Sequence, residues 1–394
     1  MQLTFLCLTN EFKGSEFIKA CKEAGNRVFV ITSESNKDKP WPRDFIEDIF
    51  FVREVGQYKM NFEDIKGGLN HLFRANKIDR IVALDDFDVE KAANLREHFR
   101  IPGMGETTCR HFRDKLAMRM KAAEAGLKVP PFSALFHDAD INEFAQNIPA
   151  PWVVKPRGEA SASGITKVHT AEELWKVIHE LGEERPNYLV EQFKPGTVYH
   201  VDALSVNGKD VFSRSSQYLN TPMEVAHGGG IFRSNIVEFG SADDKALQKF
   251  NKEVLKAFGM NFGASHTEFI KAEDGEFYFL ETASRVGGAH LAEMVEASSG
   301  INLWAEWAKI ESAMAKGESY KLPKAKKDYA GIIVSLSRLQ HPDSQSFNAI
   351  EVIWRLQKDY HIGLIVKSKK QERVLDLLED YAKKIFQDFH THVA

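Results

Sequence analysis

Apolar and polar positions follow two different rhythms along this chain. Through the first hundred or so residues, short apolar runs alternate with amphipathic ones. LTFLCLT (3–9) and RVFVIT (27–32) read as strands, and GSEFIKACKEAG (14–25) between them reads as a helix. KIDRIVALDD (77–86) and VEKAANLREHF (89–99) repeat the strand–helix pair. Such alternation predicts an open, mostly parallel α/β sheet. A helix follows in RDKLAMRMKAAEAGLKVPPF (113–132), with Asp114 as its cap, Gly126 as its end and Pro130-Pro131 forbidding its return.

Further along, strands dominate. WVVKP (152–156), ITKVHT (165–170), NYLVEQF (187–193), VYHVDALSV (198–206) and KDVFSRSSQYL (209–219) are strand-like, with a helix at 171–182. MEVAHGGGIFRSNIV (223–237) is a glycine-rich loop entering a strand, and a helix is expected near 241–259. Residues 289–317 read as helical. Three strands (329–337, 349–357, 362–368) and a final helix (370–389) complete the chain as a small α+β cap. These patterns divide it into an α/β domain (1–110), a central domain (111–325) and a C-terminal α+β subdomain (326–394). The fold class is therefore multidomain α/β and α+β.

Composition narrows the class of function. At 394 residues with 43% hydrophobic content, the chain can bury more than one core. Lysine plus arginine total 52 against 56 acidic residues, with no basic block, which disfavours nucleic acid as a partner. No apolar run approaches the ~18 residues of a membrane span, and no signal peptide is evident. Three cysteines, Cys7, Cys21 and Cys109, lack metal-ligand spacing and suit a reducing compartment, so a cytoplasmic protein is expected. The first strand is followed by TNEFKGS, without the G-x-G-x-x-G of a dinucleotide site.

The sharpest chemical signal lies in HTEFIKAEDGEFYFLETASR (266–285). Asp274-Gly275 favours a two-residue type I′ turn, and that turn would set Glu268 directly opposite Glu281. Like charges on facing positions, about 5 Å apart, are destabilising unless something joins them. A magnesium ion, which takes oxygen ligands and bridges carboxylates to phosphates, would do so. A solvated hairpin edge with two unrelated glutamates satisfies the same pattern, and a longer loop would shift the register. In VVKPRGEASASGI (153–165), Lys155 precedes a loop of small residues whose backbone N–H groups could approach an anion. A plain hairpin loop is the competing reading. In YLVEQFKPG (188–196), Glu191 and Phe193 could border an adenine, or belong to a core strand. His227, Gly228 and Gly229, with Arg233 beyond them, could form a substrate loop. An oxyanion hole is excluded there because no G-x-S-x-G nucleophile exists. Arg285 could fork a carboxylate or phosphate, or make a surface salt bridge.

The order of the pieces RDK, VVKP, VEQF, HTE and LETASRVGG resembles the ATP-grasp superfamily, particularly its carboxylate–amine ligases and biotin-carboxylase-like members. The resemblance spans nearly the whole chain. It implies a Rossmann-like pre-ATP-grasp domain, an ATP-grasp core of two subdomains, and a C-terminal subdomain. It implies ATP and Mg2+ as cofactors, with Mn2+ as a substitute. Lys115 and Lys155 would contact ATP phosphates, with Ser161, Ser163 and Gly164 in the loop closing over them. Glu191, Gln192 and Phe193 would hold the adenine, Glu268 and Glu281 the magnesium, and Arg285 the acyl phosphate or substrate carboxylate. His200 or Asp202 would contact the ribose.

Two departures stand out. Many relatives read E-x-N-x-R where this chain has Glu281, Ala283 and Arg285. Many also carry a glutamate two residues past the hinge glycine, where Gly196 is followed here by Thr197 and Val198. The expected activity is ATP-dependent activation of a small-molecule carboxylate as an acyl phosphate, its attack by an amine, and release of ADP and phosphate. A biotin-carboxylase-like carboxylation and a non-catalytic nucleotide-binding protein are the alternatives. Homodimers are common in this superfamily.

Overall fold

The structure, a computed structural model, describes every residue except 57–58, 160–163, 222, 226–228 and 392–394. Strand and helix alternation in the first hundred residues yields a parallel sheet of β1 (Thr4–Thr9), β2 (Arg27–Ser33), β3 (Asp48–Val52) and β4 (Arg80–Ala83), ordered β3-β2-β1-β4. Successive side chains leave opposite faces of a strand. Phe5 and Cys7 pack toward α1 (Ser15–Glu23), while Leu6 and Leu8 pack toward α2 (Phe62–Ala75) and α3 (Val89–Phe99). Helices on both faces explain why these strands are apolar without alternation. The strand order reverses between β1 and β4, so the crevice typical of such sheets opens at their carboxyl ends, near Asn10, Asp85 and Asp86.

After α4 (Glu106–Arg110) comes α5 (Lys115–Glu124), capped as expected by Asp114, which accepts from Leu116 N at 2.9 Å and Ala117 N at 3.2 Å. A small antiparallel sheet follows: β5 (Phe132–Ala134), β6 (Trp152–Pro156), β7 (Thr166–Val168) and β8 (Tyr188–Gln192), ordered β5-β8-β6-β7. One apolar core joins it to α6 (Asp138–Asn147) and α7 (Ala171–Leu181).

The large sheet contains β9 (Gly196–Val206), β10 (Lys209–Tyr218), β11 (Phe232–Ile236), β12 (Gly263–Ala272), β13 (Phe277–Ala283), β14 (Tyr329–Leu336), β15 (Val352–Arg355) and β16 (His361–Ser368). Its order is β13-β12-β9-β10-β11-β14-β16-β15. One face rests on α8 (Ala242–Phe258) through a core that includes Phe258, Phe269 and Phe279. The strands of the C-terminal segment are not a separate layer. β14 pairs with β11, so one sheet runs continuously across the boundary drawn at residue 325.

The segment read as helical over 289–317 holds two helices, α9 (Leu291–Ser299) and α10 (Leu303–Lys316), with α11 (Gln371–Asp388) near the C-terminus. Gly300, at φ +72°, ends α9, and Asn302 caps α10 by accepting from Ala305 N at 3.0 Å. The N-terminal domain docks through α1 on α10. Phe17 meets Trp307 edge-on with centroids 5.0 Å apart, and Asn26 Nδ2 donates to Ser312 Oγ at 3.0 Å. Among the described residues, no helix is long and apolar enough to cross a membrane.

Candidate active site

Glu268 does face Glu281, by a route the sequence did not disclose. Asn207-Gly208, with φ +51° and +70°, forms a two-residue turn between β9 and β10. Asp274-Gly275 does not. Its loop has three residues: Gly275 N donates to Ala272 O at 2.9 Å, and Ala272 N to Glu276 O at 3.0 Å. Gly275 takes the left-handed position at φ +80°, and Asp274 accepts from Glu276 N and Tyr278 Oη instead of entering a type I′ turn.

The longer loop slips the register by one, setting Phe269 against Phe279 and Ile270 against Tyr278. Continued, that register would have set Leu280 against Glu268. A bulge at Leu280 takes up the extra residue, so Glu268 pairs with Glu281 and Thr267 with Thr282. The bulge also frees backbone groups to bond outward. Phe279 N donates to Lys128 O at 2.9 Å, and Leu280 O accepts from the Arg119 guanidinium.

The two carboxylates have separate partners. Glu281 accepts an ion pair from Lys115 at 3.0 Å, and Lys115 Nζ also donates to Glu159 O at 2.6 Å. Burial alone would raise the Glu281 pKa, but Lys115 and Lys155 outweigh it and hold the carboxyl below its ordinary value. Glu268 accepts from Tyr218 Oη at 2.8 Å and stands 3.5 Å from His266 Nε2.

Alternation along β9 and β12 sets His200 opposite Glu268 and Asp202 opposite His266. Asp202 accepts from His200 Nδ1 at 2.8 Å and His266 Nδ1 at 2.9 Å. Burial opposes the proton on His266, yet Asp202 and Glu268 prevail and lift its pKa to about 10. Asp202 is correspondingly held below the carboxylate range despite its burial. Gly287 closes over this array. A Cβ there would lie 2.8 Å from Asp202 Oδ1 and 2.9 Å from His266 Nδ1.

A second ion cluster joins the two sheets. Arg119, fully buried on α5, donates through Nε to Glu191 Oε2 at 2.8 Å and also bonds the Leu280 carbonyl. It thereby ties β8 of the small sheet to β13 of the large one. Lys155 pairs with the other Glu191 oxygen. Burial, with help from Arg119 and Lys115, pushes the Lys155 pKa down to about 8 against the pull of Glu191. A third pair crosses from the N-terminal domain. Arg285 Nε donates to Asp86 Oδ2 at 2.9 Å, at the strand-end crevice where Lys13 also meets Asp85 at 3.0 Å.

The structure thus draws Lys115, Lys155, Glu191 and Glu281 together, with Glu268 opposite Glu281 and Arg285 two residues past the end of β13. It also corrects several expectations. His200 is wholly buried between Asp202 and Ser234, and Asp202 is buried with it, so neither is open to a ribose. The Glu191 side chain is spent on Arg119 and Lys155. Of its neighbours, Gln192 N donates to Pro131 O and Phe193 N to Pro151 O, while Lys167 sits 3.7 Å above the Phe193 ring. Arg233 bonds Asn220 and pairs with Glu379 of α11 at 2.9 Å. Gly164 (φ +70°) and Gly229 (φ +62°) are turn positions. Ser161, Ser163, His227 and Gly228 lie outside the described residues.

Four residues of this network escaped sequence reasoning: Arg119, His266, Tyr218 and Asp86. A signal existed for two of them. Arg119 is four residues past Lys115, on the same helix face, and His266 shares a strand face with Glu268.

Comparison with known proteins bears on the domain and the fold. Residues 148–293 match the ATP-grasp domain. The L-arginine-specific L-amino acid ligase of Bacillus subtilis is 24% identical over 298 residues, covering 73% of this chain and 70% of that protein. The D-alanine–D-alanine ligase of Neisseria gonorrhoeae (strain NCCP11945) is 25% identical over 194 residues, covering 48% of this chain and 63% of that protein. Both are carboxylate–amine ligases. The crystal structure of an L-amino acid ligase from Bacillus licheniformis superposes with a TM-score of 0.77 at 17% identity, covering 100% of this chain and 99% of that one. Residues 148–293 thus match an ATP-grasp domain, and the whole chain shares the fold of that L-amino acid ligase.

Proposed function

We propose that this protein is an ATP-dependent ligase that joins the carboxylate of one amino acid to the amine of another, releasing ADP and phosphate. One observation carries the reading: Glu268 and Glu281 pair on one sheet face, with Lys115 on Glu281 and Lys155 beside it. The likeness to the two ligases supports the choice of amino acids as substrates. So does the strand-end crevice, where Asp85 and Asp86 face Arg285 and Lys13, since charges of both signs suit a zwitterion.

The ion pairs describe a site whose charges are balanced while it waits for ATP. Lys115 and Lys155 would turn from Glu281 and Glu191 toward the phosphates. Ser161 and Ser163 follow closely in sequence after Glu159, whose carbonyl already holds Lys115. Glu268 and Glu281 are hard oxygen donors, Glu281 held ionised, and they fit Mg2+, with Mn2+ as a substitute. Such an ion, when bound, would neutralise phosphate charge.

The substrate carboxylate oxygen would attack the γ-phosphorus and ADP would leave. The amine would then attack the acyl carbon and expel phosphate. Arg285 would stabilise the negative charge of the acyl phosphate, and Asp86 would fix its orientation. No side-chain nucleophile is needed. Cys7, Cys21 and Cys109 are buried free thiols, as suits a cytoplasmic enzyme.

The test is ADP release with amino acids supplied singly and in pairs. ADP and phosphate should appear in equal amounts, only with a competent amino acid, alongside a new amide. AMP and pyrophosphate as products would refute the acyl-phosphate route. Turnover that needs bicarbonate and no amine would favour carboxylation instead.

A further inference from the structure

A cavity of about 360 Å³ lies between the N-terminal domain and the ATP-grasp core, apart from the residues assigned above to nucleotide and metal. Its walls are β4, Arg96 of α3, the 102–105 turn, the 259–263 loop, Ser284, and Trp307 and Glu311 of α10. That size is within the range of small-molecule sites.

Its charges do not balance. Arg80 is 8% exposed, and its enclosed Nε makes no hydrogen bond. Its Nη1 reaches only two carbonyls, Asp79 O and Pro102 O, both at 3.5 Å. Arg96 donates to carbonyls as well, Ile81 O at 2.8 Å and Met104 O at 2.7 Å. One carboxylate, Glu311, answers both guanidinium groups. It stands 3.7 Å from Arg80 Nε, beyond hydrogen-bond reach, and accepts from Trp307 Nε1 at 3.1 Å. A buried cation with an unsatisfied donor is costly unless an anion completes it. Met260, Phe262 and Trp307 supply an apolar wall beside these charges.

We propose that this cavity is a second small-molecule site, one that takes a short-chain carboxylate. The carboxylate accepts from Arg80, flanked by Arg96, and its hydrocarbon chain lies against Met260, Phe262 and Trp307. Because both domains wall the cavity and Ser284 adjoins Arg285, a bound carboxylate bridges the N-terminal domain to the end of β13.

Isothermal titration of the full chain with hexanoate, without nucleotide or metal, tests this independently of any turnover. Hexanoate should bind saturably within about 10 mM, and hexanamide, which lacks the charge, at least about tenfold more weakly. Arg80→Gln should weaken hexanoate about tenfold or more, with Arg80→Lys in between. Glu311→Gln removes the competing internal anion and should tighten binding. Glu281→Gln should leave it unchanged. Failure to saturate, equal binding of hexanamide, indifference to Arg80→Gln, weaker binding in Glu311→Gln, or loss in Glu281→Gln would each overturn the proposal. The Glu311 variant decides the matter even if Arg80→Gln does not fold.

Discussion

Single side chains carry this site because each charged group is held by another. Glu281 is the clearest case. Glu281→Gln should leave the fold intact yet lower ATP turnover by about a hundredfold or more, since it removes a charge the reaction is proposed to need. Turnover with saturating magnesium, beside a circular dichroism spectrum, checks both halves. Arg285→Lys keeps a cation on Asp86 but loses the planar fork. It should lower kcat while leaving ATP affinity little changed, read by single-turnover rates and nucleotide binding.

His266 gives a pH prediction. Its pKa rises from 6.5 to about 10 in the folded protein, so between those values the folded state holds a proton the unfolded chain has lost. Its stabilising contribution is therefore complete below about pH 6.5 and disappears as pH rises through 10. The urea midpoint of wild type minus that of His266→Gln should shrink steadily over that window. A constant difference would show that the imidazolium is not formed.

Elements place these side chains by turn chemistry and bulges. The three-residue loop at 273–275 and the bulge at Leu280 cancel one another, so the register at Glu268 is the one a two-residue turn would have given. The bulge couples the hairpin to α5, because the carbonyl it turns outward is the one Arg119 holds. Arg119→Met should leave Glu191 with Lys155 alone. Loss of the pair should destabilise the protein by about 3–5 kcal/mol, as removal of one partner of a buried ion pair generally does. Denaturant unfolding with and without ATP measures the effect, and ATP affinity should fall as well. Gly287→Ala forces a methyl against Asp202 and His266 and should destabilise by about 1–3 kcal/mol.

At the scale of the molecule, the proposed nucleotide site falls where two antiparallel sheets meet, and the proposed substrate crevice where the parallel sheet meets Arg285. The ordered strand–helix rhythm, the α5 cap and the motif order were all legible in the sequence, since they depend on local periodicity and on residues close in the chain. The joining of β14 to β11 was not, because an antiparallel partner can come from any distance. The same holds for Asp86 and Arg285, which are 199 residues apart.

The sequence by itself determined the elements, the superfamily they resemble and which carboxylates and lysines are proposed to act. These follow from side-chain period, capping and turn residues, and from short motifs in a fixed order. Tertiary structure decided which charges meet. It buried His200 away from any ribose, gave Glu191 to Arg119 and Lys155, and set Asp202 and His266 beneath Glu268. The physical reason is that a charge's partner is chosen by distance and burial, and both exist only after the sheets have paired and packed.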